Sequence, residues 1–405
     1  MVNYPFYMND KVAEKLTEYI RKLASGGNTR EVWDQYSEFL EACTAVEVNY
    51  AIDEYMSGED DFSLIEITVA RFIRACGRGL DKIGKFKPDS GSFIDALMRE
   101  NREIEKERRL ATEAFSSIAS DKGRSSENYA AVLWESLAHL SIVSSHYSML
   151  QNALFPALEQ RGDNMNCLRL MWHIQDDIVA SMKKLSAMIA ASDIDFETFN
   201  KLYGSMYLKM GNLIYREEMI LYPLAAELFP LDVHQKLLDD LADLGAEIGL
   251  QSEGGSIDVR RSSFPSLDSG AGTVNLNTGT LDPTQIDLIL TNLPFDITYV
   301  DEDDRVRYFS RGKERLFPRS PGIIGRPVVN CHPPNSVHIV EKIISDFREG
   351  RRDSAEFWIQ NDGMFILIRY YPLFDGDIYR GVLEVSQDIT GIRTIDGEKR
   401  LLDEI

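Results

Sequence analysis

Apolar residues recur at intervals of three and four over most of residues 9–250, then alternate in short runs over residues 284–405. The first pattern is that of helices with one buried face, the second that of half-buried strands. Val12, Leu16, Ile20 and Leu23 mark a first helix, Val32, Tyr36, Leu40 and Cys43 a second, and Val46, Tyr50 and Ile52 a less regular third. Gly26-Gly27-Asn28-Thr29 ends the first and caps the second, since Gly accepts a left-handed turn and Thr accepts from free backbone donors. Ser57-Gly58-Glu59-Asp60-Asp61 is the next break. Four longer patterns come after it, over about Phe93–Ser117, Ser126–Gln160, Asn166–Ala191 and Phe196–Leu228, with a short one to about Leu250. Consecutive amphipathic helices joined by turns predict an up-and-down bundle.

Gly, Ser and Asp dominate residues 251–283 without periodicity, which predicts a flexible linker, although Asn275–Gly279 can already lie against the C-terminal domain. A short strand at Leu293–Asp301 then runs into an acidic turn. A helix at about Ser336–Glu349 precedes a Gly-Arg-Arg turn and strands at Ser354–Gln360, Phe365–Pro372 and Arg380–Thr390. Gly397–Ile405 reads as a short amphipathic helix. The chain therefore divides into a helical region (1–84), a four-helix bundle (85–250), a linker (251–283) and an α+β domain (284–405).

An ionisable residue is costly to bury without a partner, so acids and histidines inside apolar stripes are the candidates for chemistry. Glu100 and Glu107 fall on the stripe of Phe93, Leu97, Ile104 and Ala111, and His139 and His146 on that of Val143, Leu150 and Ala153. Asp177 edges the stripe of Met171, Ile174, Ile178 and Leu185, with His173 one turn away, and Met210, Leu213, Leu221 and Leu224 enclose Glu217. One inward acid or histidine per helix suits a divalent metal held by His146, Glu217, Asp177 and Glu100. A lone inward histidine is more often a hydrogen-bonded core residue than a ligand, and no Glu-x-x-His pair marks a di-metal site. A repeat runs through the region: Gln151-Asn152-Ala153-Leu154-Phe155-Pro156 echoes Glu217-Glu218-Met219-Ile220-Leu221-Tyr222-Pro223.

In the α+β domain, Asn330-Cys331-His332-Pro333-Pro334 and His338 bring a thiol and two imidazoles together, the residue types that serve as axial haem ligands. Helical phase groups His338 with Lys342, Ser345 and Glu349 on a solvated face, opposite Val337, Val340, Ile344 and Phe347. The alternative reading is a turn that stops one element and starts the helix. Cys331, His332 and His338 are the cofactor-binding candidates.

The order of strand, short helices, longer helix and three antiparallel strands, ending on Asp388-Ile389-Thr390, resembles a PAS domain. Residues 85–250 resemble a hemerythrin-like (HHE cation-binding) domain, through Leu154–Glu159, Met171-Trp172, Glu217–Pro223 and Glu247-Ile248-Gly249. The whole chain is similar to a bacterial family of unknown function that joins a helical region, a hemerythrin-like domain and a PAS domain. The resemblance implies His-Tyr-x-Arg-Lys-Glu-Asn where this chain has His146-Tyr147-Ser148-Met149-Leu150-Gln151-Asn152. It also implies His-Asp-Glu at Gln175-Asp176-Asp177, and Gly-His-Pro at Gly91-Ser92-Phe93. A di-iron centre wants several imidazoles, so the departures imply a degenerate bundle.

Composition narrows the function. A formal charge of −21 opposes nucleic acid and anionic membrane as partners. The four cysteines, none in a Cys-x-x-Cys pair, fit free thiols in a reducing cytosol, and Met1–Tyr4 shows no signal peptide, so a cytoplasmic location is expected. No phosphate-cradling loop or nucleophile elbow is present, so the chain does not read as an enzyme. The expected function is sensing or signalling by the PAS domain and degenerate bundle, in answer to a small ligand, metal or redox change. Output would pass through a protein partner or through self-association by the PAS domain as a homodimer. The alternative is an iron-binding metalloprotein for oxygen, nitric oxide or peroxide chemistry, regulated by its PAS domain.

Overall fold

A computed structural model describes residues 8–27, 30–59, 61–84, 86–120, 126–161, 165–191, 194–247, 273–312, 315–361 and 363–397. The cap at Asn28-Thr29, residues 251–272 of the expected 251–283 linker and all but the first residue of the expected Gly397–Ile405 helix lie outside them. The end of that linker is not irregular but folds into two strands and the start of a helix. The chain forms two compact units, one spanning Met1–Gly245 and the other most of the rest.

The first unit opens with α1 (Asp10–Ala24), α2 (Arg30–Ala42), α3 (Ala45–Met56) and α4 (Phe62–Ile83). Each apolar repeat becomes a buried face, with Leu16, Ile20, Leu40, Ile52 and Phe72 at 1% exposure or less. Local chemistry sets the ends. Asn9 caps α1, Thr44 and Glu47 form a capping box on α3, and Asp61 accepts from the first amides of α4. Gly79 lets α4 touch α2, because a Cβ there would stand 2.4 Å from the Leu40 carbonyl oxygen.

Next come α5 (Phe93–Ser120), α6 (Ser126–His139), α7 (Ile142–Met149), α8 (Phe155–Glu159), α9 (Asn166–Ala190), α10 (Phe196–Arg216), α11 (Tyr222–Leu228) and α12 (Leu231–Glu247). Where the apolar pattern predicts one long helix over residues 126–160, the backbone breaks at Leu140-Ser141. It resumes as α7, widens into a π-turn at Leu150–Leu154 and ends as α8. The fourth pattern behaves alike, with a π-turn at Glu217–Leu221 between α10 and α11. The repeat seen in the sequence is thus two matched π-turns, closed by Phe155 N–H to the Leu150 carbonyl and Tyr222 N–H to the Glu217 carbonyl. Each immediately precedes an aromatic-proline pair, and a proline ring would strike the carbonyl four residues back in an unbroken α-helix. Asp53 of α3 reaches across to the start of α9, where its Oδ1 accepts from the Cys167 amide at 2.8 Å. α3 and α4 both pack on α9.

The second unit begins with a β1–β2 hairpin (Val274–Leu276 and Gly279–Leu281) and α13 (Pro283–Thr291). Its sheet contains β3 (Asp296–Val300), β4 (Val306–Phe309), β5 (Ala355–Asn361), β6 (Met364–Asp375) and β7 (Ile378–Asp388). The order is β4-β3-β7-β6-β5, antiparallel throughout. α14 (Val337–Arg348) buries Ile344 and Phe347 in one cluster with Val300, Val306, Ala355 and Val382. Asp346 clamps the Gly350-Arg351-Arg352 turn, bonding Arg351 Nε at 2.8 Å and Arg352 Nε at 2.9 Å. Gly381 has φ of +117°, and a Cβ there would fall 2.0 Å from the Val300 carbonyl oxygen, so the β3–β7 pairing demands glycine. Among the described residues no helix is long and apolar enough to cross a membrane.

Candidate functional site

Three clusters of buried or half-buried polar groups stand out. The deepest lies between α5, α7 and the second π-turn. His146, 1% exposed, has Nδ1 2.7 Å from Glu100 Oε2 and Nε2 3.3 Å from Glu217 Oε2. Tyr222 donates its hydroxyl to Glu217 Oε2 at 3.3 Å, and Asn101 Nδ2 donates to that hydroxyl at 3.4 Å. Burial alone would lower the His146 pKa, but the two carboxylates outweigh it and raise the value to about 10. The imidazole is therefore a cation donating both N–H groups. Among the described residues, the buried Glu217 Oε1 has no hydrogen-bond partner. Nearby in sequence, Gln151 Nε2 donates to Gln175 Oε1 at 2.9 Å.

Three of the four metal candidates, Glu100, His146 and Glu217, are thus brought together. Asp177 stands elsewhere. Its Oδ2 lies 2.9 Å from Lys209 Nζ and 3.9 Å from His173 Nε2, and the same ammonium is 3.0 Å from Glu66 Oε2. This second cluster joins α4, α9 and α10. His139 pairs with Glu107 at 3.0 Å on the exposed rim.

The third cluster lines the inner face of the sheet. Val300 and Val382 are register partners in the core, and so are Ala355 and Tyr370. Side chains two residues along a strand share a face, so Thr298, Glu384 and Ser386 point inward with them. Thr298 pairs with Glu384, which also pairs with Tyr370. Among the described residues, the buried Thr298 Oγ1 and Ser386 Oγ have no hydrogen-bond partner. His332 donates Nδ1–H to the Val328 carbonyl at 2.8 Å, leaving Nε2 as a free base. Burial holds its pKa below the usual histidine value despite the charge of Glu384. Burial and Glu384 also push the Tyr370 phenol well up. Cys331 instead packs against the apolar core, its thiol 3.7 Å from the Pro327 carbonyl oxygen. His338 is exposed on α14, so the three candidates of this stretch do not converge. Thr298, Glu384 and Ser386 are not singled out by the sequence motifs. Their signal is a run of polar residues at alternate positions of strands that otherwise bury Val300 and Val382.

Residues 286–390 match a family model described as a PAS domain. Among solved structures, the chain is similar to the C-terminal domain of a Streptococcus mutans protein, at 34% identity over 31% of this chain and 98% of that one, with a TM-score of 0.30. A PAS domain from Colwellia psychrerythraea is 20% identical over 27% of this chain and 97% of its own, with a TM-score of 0.22. The sensor region of a sensor histidine kinase is 17% identical over 24% of this chain and 40% of its own, with a TM-score of 0.18. Comparison with curated proteins finds no match.

Proposed function

We propose that this chain, whose residues 286–390 form a PAS domain, is a sensory or regulatory protein acting through a protein partner or through a second copy of itself. The observation that carries this reading is the pair of buried hydroxyls of Thr298 and Ser386 beside Glu384, which have no partner among the described residues. A buried polar group left unpaired costs about 1–3 kcal/mol, so the inner sheet face favours an occupant that supplies those bonds. Its chemistry suits a small polar molecule with donors for Glu384 and the two hydroxyls. A haem held by His332 through Nε2 would have to set its porphyrin face against these polar groups, which suits it less well. Binding there shifts how the chain meets its partner, and the helical unit responds to metal or redox change in parallel.

Native mass spectrometry and an absorption spectrum of the freshly purified chain test this reading. A small polar adduct that is lost in Ser386→Ala and Thr298→Val supports it. An intense Soret band that is lost in His332→Ala would replace the polar ligand with haem. A chain without adduct, whose melting temperature no polar small molecule raises, would overturn it.

A second reading, an iron-binding protein of the hemerythrin-like kind, has one observation in its favour: His146 is gripped by Glu100 and Glu217, with Glu217 Oε1 left over. A histidine-rich di-iron centre does not fit this interior. Where the resemblance implies a glutamate and a histidine, Gln151 and Gln175 stand bonded to each other, and neutral amides are weak iron ligands. A single divalent ion would have to displace the imidazolium proton and use His146, Glu217 and Glu100. Iron analysis of the wild type beside His146→Gln and Glu217→Gln decides it.

A further inference from the structure

The Glu66–His173–Asp177–Lys209 cluster joins α9 and α10 of the hemerythrin-like resemblance to Glu66 of α4, one of the N-terminal helices. His173 and Asp177 sit four residues apart on α9, which places them on one helix face. One nitrogen of His173 and one carboxylate oxygen each of Glu66 and Asp177 lie within 4.8 Å of one another. His173 is 9% exposed and packs against Phe62, ring centroids 4.9 Å apart and the planes tilted by 38°. Among the described residues its imidazole has no hydrogen bond: Nδ1 is buried without a partner and Nε2 stands 3.9 Å from Asp177. An imidazole so buried ordinarily has at least one nitrogen satisfied.

We infer that Glu66, His173 and Asp177 form a site for a divalent transition metal of the zinc class, with Lys209 as the cation that occupies it otherwise. The Lys209 ammonium bridges the two carboxylates, and the buried Arg216 guanidinium also acts on Glu66, so a divalent ion takes the place of the lysine between Glu66 and Asp177. One imidazole and two carboxylates are ligands that zinc takes at about 2.0–2.2 Å, with a fourth position for water. Lys209 sits at the rim, its side chain 23% exposed, and swings to solvent as the ion enters. A bound ion would tie α4 to α9 and α10 more tightly than the lysine does.

The test is a titration of the chelator-treated full chain with Co²⁺, read by visible absorption, beside melting temperature with and without Zn²⁺. One saturable Co²⁺ with ligand-field bands is expected, weakened at least tenfold by His173→Gln and by Asp177→Asn. Lys209→Met removes the competing cation and is expected to tighten binding severalfold, with a larger Zn²⁺-induced rise in melting temperature. That gain cannot come from misfolding. His146→Gln and Glu217→Gln are expected to leave the signal in place. No saturable binding in either the wild type or Lys209→Met overturns the site. So does binding that survives His173→Gln unchanged, or that vanishes only in His146→Gln and Glu217→Gln.

Discussion

Two acid–histidine clusters of the helical unit use the same residue types and arrive at opposite states. At His146 the imidazole is itself the cation, shared between Glu100 and Glu217 and shut away from water. At His173 a lysine is the cation, and the imidazole makes no hydrogen bond among the described residues. What separates them is depth. Between α5 and α7 the Glu217 carboxylate, at 1% exposure, must have a positive partner, and His146 is the cation hydrogen-bonded to it. At the rim, Lys209 delivers an ammonium while keeping part of its stem in water. A histidine that already serves as a cation is a poor metal ligand, because metal must first remove its proton. The unbonded imidazole is the better one.

The sharpest way to break the contrast is to remove the deep cation. His146→Leu removes the cation hydrogen-bonded to the buried Glu217, leaving it the Coulombic field of Arg216 alone, and is expected to cost about 3–5 kcal/mol in urea unfolding. Adding Glu217→Leu should restore most of that loss, since an apolar pair replaces the buried charges. A double variant no more stable than the single one would show that His146 acts by packing.

Asp53 extends the comparison to a buried acid that has donors but no cation. Burial raises its pKa to about 8 against the bonds from Cys167 and Asn49. The folded protein holds this proton while the unfolded chain releases it above about pH 4. The folded state therefore binds more protons in that window, and stability falls as pH rises from about 4 to about 8. The limiting slope is about 1.4 kcal/mol per pH unit. Asp53→Asn should remove that fall in denaturation curves taken across the window; an unchanged slope would assign the proton uptake elsewhere.

Lys209→Met, in metal-free buffer, is expected to lose about 1 kcal/mol, because partly exposed ion pairs are weak. A loss as large as that of His146→Leu would erase the distinction between rim and interior. The smallest effect belongs to the sheet. Thr298→Val and Ser386→Ala remove hydroxyls that lack a protein partner, so each should leave the ligand-free PAS domain unchanged or stabilise it by up to about 1 kcal/mol in thermal unfolding. A clear destabilisation would mean that these hydroxyls are already satisfied.

Much of this is legible along the chain. Helical periodicity locates α1, α9 and α10 and places Glu100, His146 and Glu217 on inward stripes. Alternation locates β3, β5, β6 and β7, and the order of those elements carries the resemblance to a PAS domain that residues 286–390 match. β4 escapes because Val306–Phe309 is too short to show a period. Aromatic-proline pairs mark the repeat, but only the backbone shows that each comes directly after a π-turn. Helical phase is a local property, set by 3.6 residues per turn, so it reports which way a side chain faces. It does not report what stands opposite. Asp177 and Glu66 are more than 100 residues apart, and Lys209 meets them from a third helix; packing alone put Asp177 there and left Glu217 to His146. The same limit applies to Thr298 and Ser386. Their inward direction is written in the strand period, but the lack of any partner is decided by every other side chain that reaches that face.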